Sequence, residues 1–249
     1  MRAAFFRHIA AAVLALFIAV PGTAALAAQP AASAPDASLK GKKLLFLIKL
    51  QGPHRATDDN IRKHLESLGL VVTYGDDTKP PSAAGYDMIA ISATCQGKWI
   101  LGAYKNATIP IVTWKPWLYP YLGMTGMHID VSYGEGHKPE QPPLWMVNAP
   151  NPLSAGLPNG LLVPLVHATK DFSWGKPGLG ATTIATLAGE PDKALIFSYE
   201  KGALMTGDFA APARRVAFFM AEDTFDILND DGMKLFDAAF EWAAKSPKN

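Results

Sequence analysis

Hydrophobic and polar positions along the chain alternate between two periods. Leu44–Ile48 is a continuous apolar run, the pattern of a central parallel strand covered on both faces. Thr57 or Asp58 then caps a predicted helix in which Ile61, Leu65 and Leu68 recur at helical spacing, and Gly69 ends it. Leu70–Tyr74 is a short β-branched strand, Pro80-Pro81 break the chain, and Tyr86–Ser92 forms a third strand. Trp99–Lys105 is a short helix and Ile109–Trp114 a fourth strand. This close alternation predicts right-handed crossovers and an α/β fold with a doubly wound, mostly parallel sheet.

From Lys115 to Trp174 the periodicity lapses into a segment dense in Pro, Gly, Trp, Tyr and Met, the kind of irregular insertion often used as a lid or binding surface. Strands return at Ala181–Ala188, Lys193–Tyr199 and Arg215–Met220, with Gly189–Asp192 as a tight turn. The end, Asp231–Ala244, places Leu235, Phe236, Ala239, Phe240 and Ala243 on one face of a helix.

The first 41 residues change the picture of where the chain works. Arg2 and Arg7 precede an uncharged apolar run, Ile9–Val20, which Pro21-Gly22 and Ala25-Leu26-Ala27 follow. That order is the order of a secretory signal peptide cleaved after Ala27, and the run is too short for a membrane span. Residues 28–41 serve as a flexible tether, rich in Ala, Pro and Ser, and 42–249 form one domain. Losing Arg2 and Arg7 takes the formal charge from +1 to −1. So near-neutral a product has no basic field for nucleic acid and, once the signal is gone, no membrane anchor. The expected location is periplasmic or secreted. A single Cys excludes an intramolecular disulfide and a multi-thiolate zinc site.

Three stretches carry a family resemblance: the opening strand–loop–helix with Tyr86–Ser92, then Asn151–Pro158, then Lys193–Gly202 with Arg214–Asp223. Together they resemble the class I glutamine amidotransferase-like superfamily, in its exported, trehalose-utilisation-like branch. The resemblance implies a flavodoxin-like domain with helices on both faces of the sheet. In active members a Cys sits on a strand-to-helix elbow and a His-x-Glu follows a late strand. Here the elbow position holds Lys115, before Pro116, and the His position holds Met220, with Glu222 retained. Without thiol and imidazole, amide hydrolysis has neither nucleophile nor base.

Ligands of open α/β sheets bind outside the carboxyl ends of the strands. Those ends supply Gln51 and His54; Thr94, Cys95 and Gln96; Lys115, Trp117 and Tyr119; Glu200 and Lys201; and Glu222 with Asp223. Cys95 is either a nucleophile or a small buried hydrophobe. Lys115, paired with Glu222 or Asp223, is either a ligand contact or half of a structural ion pair. Among the aromatics, Trp117 and Trp174 are the leading candidates to stack on a sugar ring, with Tyr119, Tyr121 and Trp145 behind them. His128, Asp130, Glu135 and His137 match no metal-ligand spacing and fit solvated loop positions, so neither metal nor cofactor is called for. The leading expectation is a ligand-binding domain for a small polar molecule, a carbohydrate first, without glutaminase activity. The alternatives are a periplasmic hydrolase using Cys95 or the Lys115/Glu222 pair, and a protein-interaction module.

Overall fold

The computed structural model describes residues 38–136, 144–167 and 171–245. Signal residues 1–27 and tether residues 28–37 lie outside them. Ser38–Gly41, assigned to the tether by composition, form a turn in which Leu39 is fully buried and Gly41 N–H bonds the Gly69 carbonyl.

The chain then runs β1 (Lys43–Ile48), α1 (Arg55–Ser67), β2 (Val71–Asp76), β3 (Met88–Ile91), α2 (Gly97–Ile100) and β4 (Ile111–Thr113). Next come β5 (Tyr133–Gly136), β6 (Leu144–Met146), β7 (Gly160–Leu162), β8 (Phe172–Gly175), β9 (Thr182–Leu187) and β10 (Glu190–Tyr199). A small hairpin, β11 (Leu204–Met205) with β12 (Phe209–Ala210), precedes β13 (Arg215–Ala217) and α3 (Asp230–Ala244). Strands β2-β1-β3-β4-β13 are parallel, with Leu44 opposite both Val72 and Met88, and Ile111 opposite both Ile89 and Arg215. Beyond β13 the sheet changes character: β10, β9, β6 and β7 follow in antiparallel order, and β8 and β5 attach beside β10. The fold is α/β on a large mixed sheet.

Successive residues of a strand face opposite sides, so each parallel strand feeds two cores. Leu44, Phe46, Ala90, Val112 and Phe218 pack with Ile61 and Leu65 of α1 and Leu235, Phe236 and Phe240 of α3. Leu45, Leu47, Ile89, Ile91 and Ile111 pack with Ile100 of α2 and with Tyr104, Leu118, Leu122 and Met124. Both long helices thus cover one face, and the other face is closed by the four-residue α2 and by turns. Where Trp99–Lys105 suggested a helix, only Gly97–Ile100 is helical, because Leu101 turns the backbone to φ 40.

Three further expectations are corrected. The 115–174 insertion is not devoid of order: it holds β5–β8, strands of three or four residues, too short to show alternation above their Pro and Gly neighbours. The last parallel strand stops at Ala217, after which Phe218–Met220 stay buried but leave the ladder, and Phe219 takes its carbonyl bond from Ser173. Helix α1 starts at Arg55 with no side-chain cap, and Thr57 and Asp58 sit inside its first turn, buried. Helix α3, by contrast, is capped: the Asn229 side chain accepts from Asp231 and Gly232 N–H.

Candidate functional site

Because β1, β3, β4 and β13 are parallel neighbours, the loops that follow them meet at one edge. They enclose a cleft of about 490 Å³ lined by Lys49 after β1, Thr94–Lys98 and Leu101 after β3, Lys115, Trp117 and Tyr121 after β4, and Glu222 after β13. A smaller recess of about 70 Å³ adjoins it, bounded by Gly52, Pro53, His54 and Arg55 and sharing Lys49, Thr94 and Glu222 with the main cleft.

The wall behind the cleft is a network of buried polar groups. Asp58, fully buried, accepts from Ser92 Oγ at 2.7 Å and Thr94 Oγ1 at 2.8 Å, and the Lys49 backbone N–H reaches Thr94 Oγ1 at 3.3 Å. Burial pushes the Asp58 carboxyl up to about 6, against the pull of the two hydroxyls. Asp77, also buried, accepts the Gln96 N–H at 2.6 Å through Oδ2. These bonds tie α1, β2 and the β1 and β3 loops into a rigid backing for the cleft.

Lys115 is only 9% exposed and its ammonium donates to the Ala93 carbonyl at 2.7 Å. The expected ion pair with Glu222 or Asp223 is not made. Glu222 instead lies 3.1 Å from His54 Nε2, and Asp223 leads a 3-10 turn on the exposed surface. Lys115 and Glu222 line one cleft from adjacent strands, but the imidazole after β1 reaches the carboxylate first. Cys95 lines the cleft with 1% exposure, and burial together with Asp77 and Asp58 holds its thiol well above the usual range. A thiolate nucleophile is disfavoured there.

Gln96 keeps its place in the lining, its Oε1 accepting from Trp99 Nε1 at 3.2 Å. Trp117 and Tyr121 present open ring surface, at 41% and 37% exposure, and Trp117 rests edge-on against Tyr133. The other aromatics go elsewhere. Tyr119 is in the core, edge-on to Phe197, and Trp174 is buried in β8 under Lys193. Trp145, half-exposed, belongs to β6, away from the cleft lining.

Glu200 is the clearest displacement. Its strand, β10, runs antiparallel to β13 with Tyr199 opposite Arg215, so the end of β10 sits at the opposite edge of the sheet. There Glu200 chelates Arg214, at 2.7 and 3.1 Å. His128 and Asp130 are exposed, Glu135 is in β5, and His137 lies outside the described residues. Among the described residues no group of three or more His, Cys, Asp or Glu is placed to hold a metal.

Sequence reasoning passed over Lys49, Lys98 and Leu101. Lys49 was open to the strand-end rule, since it directly follows Ile48; Leu101 carries no sequence signal. No family model matches this chain, and no curated protein matches it.

Proposed function

We propose that this is an exported, flavodoxin-like domain that binds a small polar ligand, a carbohydrate by first choice, at the strand-end cleft and has no glutaminase activity. The observation that carries the reading is the lining of one cleft, which two open aromatic faces, Trp117 and Tyr121, share with Lys115 and Gln96. Aromatic faces take the C–H face of a sugar ring while polar groups fix its hydroxyls. The strand order β2-β1-β3-β4-β13, with α1 and α2 on opposite faces, supports the flavodoxin-like assignment. The lack of glutaminase chemistry is supported by Lys115 in extended backbone after β4 and by Met220, fully buried, after β13.

The hydrolase alternative is weaker, because the Cys95 thiol is held protonated and Lys115 is turned to a backbone carbonyl. Thermal-shift screening against sugars, polyols and amino acids tests the binding function. A true ligand at about 100 times its Kd adds about 2.7 kcal/mol to the folded state. Trp117→Ala is expected to abolish the shift with little change in the unliganded melting temperature, the ring being half-exposed. A panel that shifts nothing, or a shift that survives the substitution, removes the proposal.

Export rests on the order of Arg2, Arg7, Ile9–Val20 and Ala25-Leu26-Ala27. Mass spectrometry of protein recovered from the producing cell is expected to give an N-terminus near Ala28; an intact Met1 in a cytoplasmic fraction contradicts it. Among the described residues no helix is long and apolar enough to cross a membrane.

A further inference from the structure

Several charged residues outside the cleft are paired. Arg55 holds Asp59, Arg62 holds Glu66, Arg214 holds Glu200, and Lys176, Lys193 and Lys234 each have a carboxylate within 3.0 Å. The cleft itself has an unbalanced lining, with three lysines against one carboxylate. Lys49, Lys98 and Lys115 all line it, and among the described residues none of the three has a carboxylate at ion-pair distance. Its one lining carboxylate, Glu222, is engaged by His54 at 3.1 Å on the side of the smaller recess. Of the acids behind the wall, Asp58 is committed to the hydroxyls of Ser92 and Thr94. Asp77 gives one oxygen to the Gln96 N–H, while its other, Oδ1, is buried without a hydrogen-bond partner. Neither is at ion-pair distance from the three lysines.

Lys115 makes the imbalance acute. An ammonium carries three N–H donors, and the bond to the Ala93 carbonyl uses one. A cation so nearly removed from water is costly without an anion beside it. At the lip, Leu101 holds a φ of 40, a backbone state that a branched residue adopts only under constraint and that gathers at ligand clamps.

We infer that the cleft takes a ligand bearing an oxyanion, a carboxylate or a phosphate, which supplies the counter-charge missing from Lys115, Lys49 and Lys98. This rests on the proposed ligand site above and specifies its chemistry: an acidic sugar in place of a neutral one. The oxyanion meets the lysines, and the ring lies against Trp117 and Tyr121.

Titration calorimetry of the whole protein with glucose, glucuronate, glucose 6-phosphate, acetate and inorganic phosphate, at low and at physiological salt, tests it. Glucuronate or glucose 6-phosphate is expected to bind about tenfold or more tightly than glucose, and to weaken as salt rises. Which of the two wins separates carboxylate from phosphate. Lys98→Met, on the exposed lip and without consequence for folding, and Lys115→Met are both expected to erase most of the acidic sugar's advantage. Equal, salt-independent binding of glucose and the acidic sugars overturns the inference and leaves the carbohydrate reading standing. Tight binding of acetate or inorganic phosphate that a sugar ring does not improve upholds the oxyanion and overturns the carbohydrate. Binding by none of the five overturns both.

Discussion

Replacing Phe236 with alanine should destabilise the fold by about 3–5 kcal/mol, at the upper end of single core truncations. Phe236 is 1% exposed and stands where α3 meets the sheet. Its ring centroid lies 5.9 Å from Phe218 and 6.1 Å from Trp114, which directly follow β13 and β4, and 5.1 Å from Phe225, in the 3-10 turn after Asp223. Phe240 and His64 close the remaining sides, at 5.0 and 6.0 Å. Five rings anchored on different elements cannot all move inward together, so most of the cavity stays open and its cost adds to the lost transfer energy. Denaturant unfolding should show the midpoint falling at constant slope. Phe236→Leu, which refills much of the space, should cost about a third as much. A loss below about 1 kcal/mol for the alanine variant would mean that α3 is not seated on the sheet as described.

The same residue shows what could be read from the sequence. The Leu235, Phe236, Ala239, Phe240 stripe and the Leu44–Ile48 run are long enough for period and burial to agree, and both elements form within a residue or two of their expected ends. Strand direction is different: an apolar run carries no arrow. Lys193–Tyr199 and Arg215–Met220 look alike as sequence, yet the former runs against the latter, and that reversal moves Glu200 away from the cleft. Ion-pair partners are also invisible along the chain. Lys115 and Glu222 do reach one cleft, but the choice of His54 over Lys115 depends on where the loop after β1 falls. Asp58 has the composition of a cap because it opens a helix. Its role as a buried acceptor depends on Ser92 and Thr94, more than 30 residues away, and only the parallel pairing of β1 with β3 brings them close.

That buried carboxylate has a pH signature of its own. The Asp58 carboxyl is raised from an ordinary 3.8 to about 6, chiefly by loss of solvent. A carboxyl raised on folding binds its proton more tightly in the native chain than in the unfolded one. Its contribution to stability is therefore full below about pH 4, declines as pH rises through the window from 4 to 6, and is gone above it. A shift of about two units corresponds to about 3 kcal/mol, an order of magnitude for the total change. Other acids pull the opposite way. Asp59, held down by Arg55 and Tyr74, loses stabilisation as pH falls, so the wild-type profile alone cannot isolate Asp58. The difference between wild type and Asp58→Asn can. The amide keeps an acceptor for one hydroxyl and removes the desolvated charge, so at pH 7 the variant should be as stable as wild type or more so. Towards pH 4 that advantage should vanish, because wild type is then neutral at this position too. Asp58→Ala strands both hydroxyls, at about 1–3 kcal/mol each, and should be destabilised at every pH. Melting temperatures of the three proteins across pH 4–8 provide the check. Parallel curves for wild type and Asp58→Asn would show that Asp58 titrates at its ordinary value and that the wall of the cleft is wetter than its burial implies.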